Sequence, residues 1–278
     1  MTTTEGLTTA TVNVPGARLH YEVRGSGPLL LVIGSPMSAA EFAPLAHALA
    51  DSHTVVTYDP RGFAGSSIED AEQDLTPELR ADDVVAIIDA LGAESADLFG
   101  SSGGAVTGLA LATRHPGRIR TLVAHEPPLL GLLPDAEQQH AGTDEIVATF
   151  HRAGPEAAWG TFMAHAGFDL DDPTAGPPPG PEPTAEELAK QLAESARFFV
   201  HELRHTTRYL PDVAALTASD TRVIVGLGVG SGRLLTDATS RALADLLGGT
   251  TVEFPGDHGG FMEAPGVFAD RLREVLAG

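Results

Sequence analysis

Cysteine is absent from the 278 residues, which removes disulfides, thiol nucleophiles and thiolate metal ligands from consideration. Lysine is nearly absent: Lys190 is the only one, so the 17 basic residues are otherwise arginine, set against 38 acidic ones. The formal charge of −21 would repel nucleic acid and anionic lipid, because both need a positive patch to displace their counterions. Neither nucleic acid nor membrane is an expected partner. Long apolar runs of the kind that span a bilayer are also missing. The start, Met1 to Gly6, has neither the basic end nor the apolar stretch of a secretory signal, so a cytoplasmic location is expected. What remains is 42% hydrophobic and 20% charged, the balance of a soluble chain long enough to bury a substantial core.

Apolar, β-rich segments recur at Thr9 to Val14, Leu19 to Val23, Leu29 to Ile33, Thr54 to Tyr58, Asp97 to Gly100, Thr121 to Ala124, Val223 to Leu227 and Thr250 to Phe254. From the third onward helical patterns separate them: Ala39 to Ala50, Pro77 to Leu91 behind a Thr76 cap, Gly103 to Arg114, Thr236 to Leu247 and Pro265 to Leu276. Strands alternating with helices predict the α/β class, an eight-stranded, mostly parallel sheet with helices on both faces. The first two strands, joined near Pro15-Gly16, read as an antiparallel hairpin. Between Glu126 and Asp220 the alternation stops. Helical stretches there are broken by Asp171-Asp172-Pro173 and by the Pro/Gly-rich run from Gly176 to Pro183, and the last long helix opens on a capping box of Thr184 and Glu187. The expected division is a core domain of residues 1–127 and 218–278 with a helical cap, 128–217, inserted in it.

Gly100-Ser101-Ser102-Gly103-Gly104 fits the G-x-S-x-G nucleophile elbow and stands where that motif must stand, between an apolar strand and a small-residue helix. The elbow forces its central residue into a strained backbone, so the positions two away must be glycine or nearly so. Ser102 is therefore the candidate nucleophile. An acid and then a histidine should follow at strand ends. Glu126, in His125-Glu126-Pro127-Pro128, emerges at the same carboxyl edge of the sheet as Ser102, where ligands of open α/β sheets bind. His258, between glycines directly after the last strand, is the candidate base. The other ten histidines lack such a setting. Oxyanion donors are expected from the backbone N–H groups of Ser35, in the loop after the third strand, and of Gly103.

On these motifs the chain resembles the α/β-hydrolase superfamily over nearly its whole length. Asp59-Pro60-Arg61-Gly62-Phe63-Ala64-Gly65-Ser66 is similar to the D-x-R-G-x-G-x-S turn common after the fourth strand, with Ala64 departing from it. Ile33 stands where the family usually has the histidine of an HG pair. The usual acid position, in Gly226 to Gly232, holds no carboxylate. That absence favours Glu126, as in one class of haloalkane dehalogenases and, more closely at His125-Glu126-x-Pro128, in the zearalenone-type lactonases; Asp237 is the fallback acid. The resemblance implies a serine hydrolase acting on an ester or lactone through an acyl-enzyme, with no cofactor and no metal. Serine at 102 disfavours dehalogenase and epoxide hydrolase chemistry, which need a carboxylate nucleophile. Perhydrolase, haloperoxidase or C–C bond hydrolase activity uses a similar triad, and a non-catalytic ligand-binding protein could keep the fold.

One rival comes from other chemistry. His201-Glu202-Leu203-Arg204-His205 satisfies H-E-x-x-H, whose two histidines share a helix face in zinc peptidases, but no third ligand follows at the required spacing. The substrate is expected to be a largely apolar small molecule, a hydrophobic ester or a macrocyclic lactone, because Met37, Leu129, Trp159, Phe162, Met163, Phe198 and Phe261 offer apolar walls. A homodimer is compatible with the sequence, which contains nothing that demands it.

Overall fold

The uncharged segments Leu29–Ile33 and Thr54–Tyr58 suit only strands covered on both faces. A computed structural model, which describes residues 2–4, 6–169 and 184–278, sets them side by side within a ten-stranded sheet. The strands are β1 (Thr2–Thr4), β2 (Leu7–Val14), β3 (Ala17–Arg24), β4 (Leu29–Ile33), β5 (Thr54–Tyr58), β6 (Ser67–Ile68), β7 (Ala96–Ser101), β8 (Ile119–His125), β9 (Arg222–Gly228) and β10 (Val252–Phe254). Their order in space is β1-β2-β3-β5-β4-β7-β8-β9-β10, with β6 laid on β3. The path from β5 to β10 is parallel, and β1, β2 and β3 are antiparallel, β2 and β3 meeting at Pro15-Gly16. The eight expected strands are all present. β1 and β6 are too short and too rich in Thr and Ser to leave an apolar signal.

The helices are α1 (Ala43–Leu49), α2 (Pro77–Ala90), α3 (Gly103–Arg114), α4 (Ala136–Ala153), α5 (Pro155–Ala166), α6 (Ala185–Ala196), α7 (Leu203–Thr207), α8 (Val213–Ala218), α9 (Leu235–Leu246), α10 (Gly260–Glu263) and α11 (Pro265–Ala277). The helix expected over Ala39 to Ala50 begins only at Ala43, with Pro44 in its first turn, where a missing N–H costs nothing. Alternate residues of each central strand serve opposite faces. Leu31, Ile33, Leu98 and Leu122 pack on one side with Val84, Ile87, Leu109 and Leu243 of α2, α3 and α9. Leu30, Val32, Phe99 and Val123 pack on the other with Leu45, Phe268 and Leu272 of α1 and α11. Each such side chain, fully buried, contributes about 1.5–3 kcal/mol.

The regular elements among the described residues between β8 and β9 are all helices. Their aromatic residues make a third cluster, in which Phe198, Phe199 and Leu203 meet Ile146 and Ala158 from α4 and α5 and Phe63 and Leu75 from beyond the segment. The capping box is formed, with Thr184 Oγ1 accepting from Glu187 N–H and the Glu187 carboxylate accepting from Thr184 N–H. The breaks expected at Asp171 to Pro173 and Gly176 to Pro183 lie outside the described residues. Among those described, no helix is long and apolar enough to cross a membrane.

Backbones also approach closely where β7 turns into α3. A Cβ on Gly104 would stand 2.4 Å from the Ile33 carbonyl oxygen of β4, and one on Gly100 would stand 2.5 Å from the Gly104 carbonyl oxygen. Gly160, inside α5, meets nothing within 4 Å. Gly104→Ala should therefore destabilise the protein by about 2 kcal/mol or more, while Gly160→Ala should stabilise it by about 0.5–1 kcal/mol. Urea unfolding of both variants checks this, and similar effects from the two would contradict the close approach.

Candidate active site

Ser102 follows β7 directly, with φ +55° and ψ −121°, a region that side chains avoid and that persists only when its surroundings over-determine it. They do so here: its N–H donates to the His125 carbonyl at 2.9 Å, and its own carbonyl accepts from Ala105 at 3.0 Å and Val106 at 3.3 Å. Ser102 thus stands at the N-terminus of α3, whose first-turn N–H groups and dipole favour negative charge at that end. Gly103 opens the helix against the loop after β4. A Cβ on it would lie 2.9 Å from Ser35 Cβ and 3.0 Å from the Ser35 carbonyl oxygen, so the two expected oxyanion donors sit on touching segments.

Glu126 follows β8 with φ +51° and no exposed surface. One carboxylate oxygen accepts from Gly228 N–H at 2.9 Å and from the Ser231 hydroxyl; the other accepts from Thr236 Oγ1 at 2.7 Å and from His258 Nδ1–H at 2.7 Å. Burial alone would raise its pKa, but the His258 bond and charge, with His125 and Ser231, outweigh it and hold the group at about 2. Asp237 instead pairs with Arg241 on α9, at 2.9 Å. The loop Gly226 to Gly232, searched in the sequence for a carboxylate, supplies donors to one: Gly228 and Ser231. With Thr236 they were missed, and the only signal was hydroxyls and a free amide near the place where an acid was lacking.

His125 has no exposed surface and lies among Phe99, Phe254, Phe261 and Phe268, with Nδ1 3.3 Å from Ser101 Oγ. Burial lowers its pKa to about 4 against the pull of Glu126, so it stays neutral near pH 7.

Ser102, His258, Ser35 and Gly103 all border one cavity of about 190 Å³. Of the expected apolar contacts, Met37, Trp159, Phe162, Met163 and Phe198 line it too. Leu129 and Phe261 do not, which corrects the sequence expectation. Leu129 is fully buried in the core on the α2–α3 side, and Phe261 stacks on Phe42 at 5.1 Å beneath α1; each stands next to the cavity's loops in sequence but points the other way. The H-E-x-x-H segment divides. His201 Nδ1 and His205 Nε2 rest on the Asp74 carboxylate at 3.1 and 3.3 Å, and neither borders the cavity, whereas Glu202 does. Among the described residues no three His, Asp or Glu side chains are grouped to hold a metal. Ala64, which replaces glycine in the turn after β5, has φ +47°, a conformation for which glycine is the usual residue.

A profile of the alpha/beta hydrolase fold matches residues 27–205. An uncharacterized hydrolase of Bacillus subtilis (strain 168), YraK, is 32% identical over 272 residues, 96% of this chain and 95% of the relative. Among solved structures, a thermophilic esterase from Thermogutta terrifontis superposes with a TM-score of 0.74 at 20% identity, over 97% of this chain and 98% of that one. The enol-lactonase from Burkholderia xenovorans LB400 does so with a TM-score of 0.62 at 21% identity, over 97% and 100%. The chain belongs to the α/β-hydrolase fold family.

Because folding holds His125 below its ordinary value, the unfolded chain binds more protons between pH 6.5 and about 4, and stability falls as pH drops through that window. From pH 7 to pH 5 this residue should cost about 2 kcal/mol. His125→Phe should shrink the acid-induced loss of unfolding free energy by about that amount; an unchanged pH dependence would contradict a buried neutral imidazole.

Proposed function

We propose that the protein is a serine hydrolase that cleaves a carboxylic ester or lactone of a largely apolar substrate through Ser102, His258 and Glu126. One observation carries the reading: His258 gives its Nδ1–H to the buried Glu126 carboxylate at 2.7 Å, which leaves Nε2 as the basic nitrogen on a ring that shares a cavity with Ser102. Ser102 Oγ attacks the carbonyl while His258 takes its proton, then returns it to the leaving alkoxide, and water releases the acyl group. Glu126 fixes the tautomer and stabilises the imidazolium. The N–H groups of Ser35 and Gly103 receive the oxyanion, aided by the N-terminus of α3.

Residues 128–217 act as the cap. Its Trp159, Phe162, Met163 and Phe198 give the cavity apolar walls, which favour buried hydrocarbon. A larger groove of about 700 Å³ lies on the other side of Pro36, Trp159 and Phe198, with Phe63, Leu188 and Leu192 among its walls. An esterase and an enol-lactonase among the structural neighbours are in keeping with this substrate class.

The test is hydrolysis of aryl esters and lactones of graded chain length. Ser102→Ala should lose about 10⁴-fold or more in kcat, and Glu126→Gln should also be severely impaired. Asp237→Asn should stay within about threefold of wild type, since its carboxylate serves Arg241. A crippled Asp237→Asn beside an active Glu126→Gln would overturn the acid assignment.

A further inference from the structure

The H-E-x-x-H segment has no part in the proposed reaction, yet its glutamate is the one acidic side chain lining the cavity among the described residues. Glu202 is 1% exposed. It ends a π-helical turn, Arg197–Glu202, between α6 and α7, and the extra residue in such turns re-aims side chains and recurs at functional sites. One of its carboxylate oxygens accepts from the Ser35 hydroxyl; the other accepts from Arg80 of α2 at 2.6 Å. Arg80 is itself buried, with its guanidinium 5.7 Å from the centre of the Phe63 ring. A buried chain therefore runs from the core helix α2, through the cap, to the loop after β4.

We propose that Glu202 is a positioning residue for the oxyanion loop: its carboxylate grips Ser35 so that the Ser35 N–H and the Gly103 N–H stay aimed at the same oxygen. The proposal rests on the serine-hydrolase reading above. The alignment demanded of such donors is strict, because they act only on the charge that develops in the transition state. Burial pushes the Glu202 carboxyl pKa up, against the opposing pull of Arg80 and the Ser35 hydroxyl; with its second oxygen held by Arg80, the first is fixed in place to accept from Ser35. Placing a bare carboxylate beside a developing oxyanion would raise the barrier, however, and Arg80 removes that penalty by pairing with Glu202 on its other oxygen. Gly103 tightens the arrangement from below, since its missing Cβ lets Ser35 close to contact.

Full-length Glu202→Leu, Glu202→Gln, Ser35→Ala and Ser102→Ala proteins, each verified as folded by thermal unfolding, separate this role from a simple staple between cap and core. Glu202→Leu and Ser35→Ala should each lower kcat for an aryl ester roughly 10- to 100-fold with KM changed by less than about threefold. The double variant should be little worse than either single one. Glu202→Gln, which keeps an acceptor oxygen, should fall between wild type and Glu202→Leu. Independently of turnover, amide hydrogen exchange across residues 35–38 should quicken by about tenfold or more in Glu202→Leu. A raised KM at unchanged kcat, or loop amides that exchange as in wild type, would overturn the proposal. Full turnover by Ser102→Ala would sink the serine-hydrolase reading instead, and loop exchange would then decide whether Glu202 braces Ser35.

Discussion

A carboxylate with no exposed surface holds four stretches of chain in place. Removing Glu126 from water costs several kcal/mol, and a single histidine partner would not offset that. Four donors do: two hydroxyls, a backbone amide and an imidazole, each hydrogen bond to a charged group contributing about 1.5–3 kcal/mol. The donors come from the end of β9, the loop after it, the first turn of α9 and the loop after β10. None of these segments can drift without leaving part of a buried charge unmet. The same carboxylate also sets the plane of His258, so the stability of this edge of the sheet and the orientation of the imidazole have one cause.

His125 and Glu126 are neighbours in sequence, both without exposed surface, yet one is held neutral and the other charged. The imidazole lies among phenyl rings and the His258 ring, with Ser101 Oγ at 3.3 Å and a Glu126 oxygen no nearer than 3.9 Å, so desolvation wins and it stays neutral. The carboxylate, one residue on, is turned by its positive φ into a nest of donors and stays charged. Two adjacent titratable groups at the end of one strand thus differ because the backbone reverses between them. The prolines at 127 and 128 follow that reversal and restrict the chain that leaves it.

The fold was legible where the physics is local or strongly periodic. Strands β4 and β5 and helix α3 have the limits their sequence indicates, because an uncharged five-residue run and an unbroken small-residue helix each admit few alternatives. The short strands β1 and β6 were not legible, since their pairing comes from neighbouring backbone rather than from their own side chains. At the site, the elbow was visible because its glycines answer to steric demands a few residues away. Ser231 and Thr236 were not, because a lone hydroxyl in a loop or first turn belongs to no motif that names its partner, and Glu202 was visible only as part of a metal signature whose histidines turn elsewhere. Leu129 and Phe261 illustrate a different limit. Proximity in sequence to a catalytic loop places a side chain near the site, but the turn on either side decides whether it faces the cavity or the core.

The helical segment between β8 and β9 is joined to the rest of the chain by two kinds of contact with different consequences. Its rings, Trp159, Phe162, Phe198 and Phe199, pack on one another at 4.8 to 5.6 Å, mostly edge to face, and dispersion and burial between such surfaces set how much area is covered without fixing a register. The polar contacts fix it, and apart from the Ser35 hydroxyl on Glu202 those made by residues 194–205 gather on residues 62–80. Glu194 accepts from the Ala64 N–H at 2.8 Å, the His201 carbonyl accepts from the Leu75 N–H at 2.8 Å, Asp74 holds both His201 and His205, and Arg80 holds Glu202. Gly62 clears the path for Arg197, since a Cβ there would lie 2.4 Å from its Nε. Directional bonds to one short stretch of the core therefore seat α6, the π-helical turn and α7, and the aromatic wall of the cavity is carried on that seat. An arginine-for-lysine composition suits such a joint, because the planar guanidinium keeps its charge and its geometry when buried.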